Sequence, residues 1–393
     1  MELRAASGRV LQKFFSIVLV AAAALISACS DSSSGGGAAP GGGGGGGITP
    51  LAMSGAGVDG PLANAIVTLY AIDTGAADFK GEVLGTGTTD EQAQINDIEK
   101  PAVADAPYLL EFTADVDTRD LTACEDGDSS GTINVATECL APVVGTLRTI
   151  VTAEMLDADR PVYGTLLTTM ATDLAIRNAD FDGDGNDDGD LADAEDQKAW
   201  GDRDGDAAID ADLGDGTATI AELLSALPVA AGQVKSTVGF GLGSSTDIFT
   251  TAPILDADAD TEAEQEEVAA YRAAVQALAS VVYQITQSLD GAATTDVLTA
   301  LTTDLADGAI DGNEGDTAQS LYDSSDTVAT ATLQLLQQDP ATLPVPNDPE
   351  GRTVGDMAAI LIAEIETTGS DVTEEMDNSF APEMKPAETD PDL

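Results

Sequence analysis

The densest chemistry in this chain lies in the run DFDGDGNDDGDLADAEDQ, where carboxylates and one carboxamide recur at every second position and are broken by glycines. From Asp184 the order is Asp184, Asn186 and Asp188, then Gly189, Asp190, and Glu195 at the twelfth position. Oxygens at positions one, three and five of such a loop turn inward at one point. A glycine at six permits the sharp turn, the carbonyl at seven adds a ligand, and a glutamate at twelve closes the shell with two oxygens. Hard oxygen donors in that number suit a calcium ion better than magnesium, which demands a tighter and more regular shell. Carboxylates this close also repel one another, and a divalent cation relieves that repulsion. The bland reading is a solvated acidic loop without an ion.

This spacing resembles the EF-hand calcium loop at every defining position, with Leu191 at the apolar eighth place and Ala192 leaving the ninth ligand to water. A second register is open. Asp180, Asp182, Asp184, Gly185 and Asp188 resemble the thrombospondin type-3 repeat, in which neighbouring ions share carboxylates. Asp202, Asp204, Asp206 and Asp210 repeat the spacing without the turn glycine, since Ala207 stands there. Two loop starts 18 residues apart, at Asp184 and Asp202, leave no room for a full helix on each side of each loop. A calcium-filled connector is therefore expected, not a sensor that opens a groove.

A second chemical signal lies at the amino terminus. Arg4, Arg9 and Lys13 precede an apolar run from Phe14 to Ala28, the pattern of a cleaved signal segment. The junction Ile26-Ser27-Ala28-Cys29 resembles the lipobox of bacterial lipoprotein precursors, which implies cleavage before Cys29 and acylation of its sulfur. Ser30 stands where an aspartate would, in the enterobacterial pattern, retain such a protein at the inner membrane. The outer membrane or cell surface is thus the expected location, facing either the periplasm or the exterior. Residues 30–50 are mostly Ser, Gly, Ala and Pro, with seven consecutive glycines from Gly41 to Gly47. They form a tether of roughly 25 Å root-mean-square reach.

Cys124 and Cys139 are the two remaining cysteines. In an oxidising compartment they are expected to form a disulfide, with two free thiols as the alternative. A zinc site is disfavoured, because the chain has no histidine. The same lack excludes Ser-His-Asp and Cys-His nucleophile systems. No phosphate-binding GxxxxGK[ST] loop occurs, and Gly239-Phe240-Gly241-Leu242-Gly243 reads as a turn-rich linker.

These groups must be positioned by elements legible from pattern. Ala65-Ile66-Val67-Thr68-Leu69-Tyr70 and Tyr108-Leu109-Leu110-Glu111-Phe112 read as strands. The run GVDGPLANAIVTLY with GEVLGTGTTD resembles the start of carboxypeptidase-regulatory-like or Cna-B-like modules, small immunoglobulin-type β-sandwiches, and it departs from them at Glu91-Gln92-Ala93. After Pro161 the period becomes helical: Leu166, Leu167, Met170, Leu174 and Ile176 form one stripe. A longer helix is predicted over 261–289, with Tyr271, Val275, Leu278, Val282, Ile285 and Leu289 on one face. Further helices are predicted over 294–305, 317–338 and 353–367.

The expected fold class is α+β and multidomain: an Ig-like β-sandwich, an Asp-rich calcium-binding connector, and a mainly α-helical domain. The boundaries are a signal peptide over 1–28, a tether over 29–50, a β-module over 51–155, and a helix with the calcium-binding segment over 156–228. A helical domain follows over 229–369, then an acidic disordered tail over 370–393. Residues 1–28 hold three of the 15 basic and one of the 70 acidic residues, so the rest carries 12 against 69, a net of −57. That charge repels nucleic acid and anionic lipid surfaces. The expected partners are the membrane, through lipid on Cys29, and a protein or glycan at the cell surface. Two functions fit: a non-catalytic calcium-binding surface lipoprotein with a structural, adhesive or assembly role, or a solute-binding lipoprotein or carboxylate-dependent hydrolase with a pocket in its helical domain. The second requires a deep pocket holding two carboxylates of raised pKa.

Overall fold

A computed structural model describes residues 52–125, 133–179, 218–308 and 332–387, with breaks at 257–258, 260, 290–291, 369–375 and 378–379, together with 310, 313–314 and 317–318. The strands in chain order are β1 (Gly55–Val58), β2 (Leu62–Ala63), β3 (Ile66–Ile72), β4 (Lys80–Thr89), β5 (Ile95–Asn96), β6 (Tyr108–Thr113), β7 (Arg119–Cys124), β8 (Cys139–Leu140), β9 (Thr146–Val151) and β10 (Val162–Thr165). The helices are α1 (Val135–Glu138), α2 (Ala153–Asp157), α3 (Leu166–Arg177), α4 (Ile220–Val238), α5 (Glu262–Ser288), α6 (Thr294–Asp304) and α7 (Met357–Thr368). The mixed α+β class expected from sequence is therefore observed. Among the described residues no helix is long and apolar enough to cross a membrane.

Seven strands form one sheet in the order β1-β10-β9-β6-β3-β4-β5, and β2-β7-β8 form a second. The centre of the large sheet is antiparallel: Leu69 lies opposite Leu110 and Leu110 opposite Thr149, while Val67 lies opposite Phe112 and Phe112 opposite Leu147. Both predicted strands fall in this centre. Only the β1–β10 pair is parallel among the sheet's pairings, and it sets Gly57 opposite Gly164. A side chain at either place would collide with the Phe112 ring, whose carbons lie 2.9 Å from a Cβ built on Gly57 and 2.6 Å from one built on Gly164. The paired glycines thus make the seat for a fully buried phenylalanine. This pairing carries the sheet to Thr165, past residue 155.

Helix α3 follows β10 without a break. Thr165 caps it by accepting the Thr168 amide, and Thr168 Oγ1 returns to the Thr165 amide, so the strand end and the helix start satisfy each other. Helix α5 starts with the same device, Thr261 and Glu264. The stripe expected on one face of α5 understates its burial, since every residue from Tyr271 to Val282 is buried. Ala273, Ala274, Ala277 and Ala279 let neighbours close in all round, which is how a helix becomes internal. One apolar core contains Val67, Phe112 and Ile150 of the sheet together with Leu174, Val234, Leu278, Leu301 and Leu361 of the helices.

Two expectations need correction. Residues 317–318, where a helix was predicted to start, instead pair antiparallel with Asn313–Glu314. Turn-forming Asn313 and Gly315 oppose helix nucleation there. In the stretch expected to be a disordered tail, the Lys385 amide donates to the Phe240 carbonyl at 2.8 Å and the Ala387 amide to Leu336 at 2.9 Å. Met376 and Ala387 are buried, and Phe380 and Met384 pack against the core, so apolar anchors among the prolines and acids fix residues 380–387.

Candidate functional site

Four distant parts of the chain bring charged side chains to one place inside the protein. Asp59 sits in the turn after β1, closed by a bridge between Val58 and Pro61. Asp120 and Thr122 alternate along β7, Arg272 lies in the buried middle of α5, and Glu364 in α7. Their exposures are 2% for Asp59, 4% for Asp120, 0% for Arg272 and 4% for Glu364. Arg272 Nη2 donates to Glu364 Oε1 at 2.6 Å and to Thr122 Oγ1 at 2.7 Å, and the Thr122 hydroxyl donates to the same Glu364 oxygen at 2.6 Å. Asp120 Oδ1 accepts the Thr122 amide at 2.8 Å and Asp59 Oδ2 the Val144 amide at 3.0 Å. Gln276, one turn beyond Arg272, donates to the Asp59 carbonyl.

Gly60 lets these groups close on one another. A Cβ there would lie 1.7 Å from Asp120 Oδ1 and 2.5 Å from Thr122 Oγ1, so the Asp120 carboxylate rests directly on the turn that carries Asp59. Burial pushes Asp59 up to about 6, opposed by the Val144 amide and by the Arg272 charge. Burial likewise pushes Asp120 up to about 7; the Asp59 charge adds to the rise, while Arg272 and the Thr122 amide oppose it. Arg272 Nε and Nη1 and Glu364 Oε2 have no partner among the described residues.

A second charged cluster lies on the large sheet. Lys80 Nζ is 2.6 Å from Glu111 Oε2, Arg148 Nε is 3.0 Å from the same oxygen, and Arg148 Nη1 is 3.0 Å from Asp173 Oδ1 on α3. Burial raises Asp173 and the Arg148 charge opposes this. Both basic residues remain partly exposed, and this network ties β4, β6 and β9 to α3.

No family model matches the chain, and no curated protein or solved structure matches it. The reading of the site therefore rests on its chemistry.

The sequence-derived residues Asp180, Asp182, Asp184, Asn186, Asp188, Asp190 and Glu195, like Cys29, lie outside the described residues. Among the described residues, no group of three or more His, Cys, Asp or Glu is placed to hold a metal ion. Cys124 and Cys139 are joined, with Sγ–Sγ 1.97 Å, across the β7–β8 pair. The disulfide thus lies on the strand that carries Asp120 and Thr122. Sequence reading missed the buried cluster. Its available signal was Arg272, the one charged residue between Glu267 and Asp290 in a chain with 15 basic residues.

A cavity of about 350 Å³ among the described residues runs beside α4, walled by Leu224, Leu227, Pro228 and Phe249. Its basic group is committed, since Lys235 Nζ donates to the Ser244 carbonyl at 2.9 Å and to the Thr246 carbonyl at 2.7 Å. Neither Asp59 nor Asp120 lines it.

Proposed function

We propose that this chain is a non-catalytic, calcium-binding lipoprotein, anchored by lipid on Cys29, with a structural, adhesive or assembly role at the outer membrane or cell surface. The observation that carries the non-catalytic part is the sealing of the Asp59, Asp120, Arg272 and Glu364 cluster. These carboxylates of raised pKa are the pair that a hydrolase would need, but at 2% and 4% exposure no substrate reaches them. Groups bonded across a turn, a strand and two helices hold the fold together. In this reading the β-rich part serves as an Ig-like spacer, the 180–195 segment binds calcium, and the Gly-rich tether holds the folded part away from the membrane.

The donor set of the 184–195 loop supports calcium. Asp184, Asp188 and Glu195 bring three negative charges, and Asn186, the Asp190 carbonyl and water complete the shell. A dissociation constant on the order of 10⁻⁴ to 10⁻³ M is expected, as for extracellular modules. The alternative is solute binding in the cavity beside α4, whose apolar wall suits a small amphipathic molecule. Calcium titration by calorimetry, with the melting temperature followed in parallel, decides the metal reading. Calcium at about 100 times its dissociation constant adds roughly 2.7 kcal/mol of stability. Glu195→Gln should weaken binding far more than Asp187→Asn. Absence of heat and of a melting shift at about 10 mM calcium, well above the constant expected for such loops, would refute it.

A further inference from the structure

Three carboxylates share a sealed space with one guanidinium. Asp59 comes from the Val58–Pro61 turn, Asp120 from β7, Glu364 from α7 and Arg272 from α5. Among the described residues the other basic group beside them is Arg352, whose Nη2 lies 3.4 Å from the Thr122 carbonyl. Arg352 is already paired with Asp348 and with Glu350 at 3.6 Å, so it brings no uncommitted positive charge. Arg272 and Glu364 neutralise each other. Among the described residues the two aspartates then have no cation of their own, in a place where an unpaired charge is strongly disfavoured. A Cβ on Gly60 would lie 1.7 Å from Asp120 Oδ1, so the turn and this carboxylate are in direct contact. Protons are the smallest species that can discharge this pair.

We propose that Asp59 and Asp120 form a proton-operated latch: with protons on the pair, the Val58–Pro61 turn and β7 lock onto α5 and α7, and when the protons leave the lock loosens. The rise of both pKa values towards neutrality supports this. The direction follows from linkage. Both groups hold protons more tightly folded than unfolded, so their contribution is fully present below the ordinary aspartate pKa and is lost as pH rises through about 6 and then about 7. Loosening would begin where polar atoms are already unpartnered, at Arg272 Nε and Nη1 and Glu364 Oε2, which water can then reach. The regions released are the turn, β7, the middle of α5 and α7; the centre of the large sheet, β3 with β6, has no part in the latch.

Hydrogen exchange on the full-length chain at pH 5 and pH 8.5, corrected for intrinsic rates, tests the location. Protection should fall by about tenfold or more in the turn, β7, the middle of α5 and α7, and stay level in β3 and β6. A uniform change, or none, overturns the latch. Urea unfolding of wild type and of the Asp59→Asn/Asp120→Asn variant over the same range tests the residues. The wild-type folding constant should fall by about tenfold or more between pH 5 and pH 8 beyond any fall in the variant. Equal pH dependence in the two proteins overturns it. Should the double variant not fold, the exchange pattern of the wild type still decides.

Discussion

Replacing Arg272 by methionine keeps most of the side chain's apolar volume and removes its charge from the interior. Two hydrogen bonds are lost, both from Nη2, to Glu364 at 2.6 Å and to Thr122 at 2.7 Å. Glu364 is left buried without its counter-ion, a change that costs about 3–5 kcal/mol in comparable pairs. The lower end is expected here, about 3 kcal/mol, because Nε and Nη1 make no bonds that could be lost. The Arg272 charge also lowers the pKa of Asp59 and of Asp120, so without it both are raised further. At pH 5 the aspartates are largely protonated with or without the arginine. At pH 8 the variant must hold uncompensated charge or bind protons against the solution. The penalty should therefore grow from pH 5 to pH 8, read as the shift in urea midpoint at unchanged slope. Arg272→Met combined with Glu364→Leu should recover much of the loss, since removing both partners of a buried pair is often neutral. A cost below about 1 kcal/mol at pH 8 for the single variant, the range of an exposed ion pair, would refute this account of the cluster.

Gly164→Ala places a methyl 2.6 Å from the Phe112 ring and should destabilise by about 1–3 kcal/mol, measured by urea unfolding, with partial recovery in a Gly164→Ala/Phe112→Leu pair. An unchanged midpoint would show that the strands shift freely there. Cys29→Ser should leave precursor uncleaved or without lipid; mass spectrometry of the amino terminus checks this, and a lipid-free mature form starting at another residue would contradict it.

Elements with local periodicity were legible in the sequence. The helical stripe from Leu166 to Ile176 became α3, and the stripe from Tyr271 to Ile285 lies within α5. Ile66 to Tyr70 and Tyr108 to Phe112 became neighbouring central strands, because alternation and branched residues report a strand without reference to its partner. What could not be read were pairings between distant residues. Nothing local shows that Gly57 meets Gly164, nor that Asp59, Asp120, Arg272 and Glu364 converge, since each is an ordinary residue in its own neighbourhood. The regularly spaced carboxylates of 180–195 drew notice for that spacing, whereas the buried ones are single acids among turns and apolar runs. Arg272 carried the one usable signal, which passed unread: a charge at the centre of an alanine-rich helix must find a partner or break the packing.

The parallel pairing of β1 with β10 has a consequence for the order in which the chain acquires its structure. Gly55 and Val162 must meet before the first strand has a neighbour in the sheet, and Asp59, which accepts the Val144 amide, completes its contacts only when Arg272 and Gln276 have been made. Synthesis runs from the amino terminus, so β1 emerges before its partner and waits until residues 162–165 have been made. Contacts at such sequence separation are slow to form, and an unpaired strand edge is prone to wrong association in the meantime. The polar Gly- and Asp-punctuated surroundings of β1 keep that waiting edge short, four residues, and two of the four are glycine.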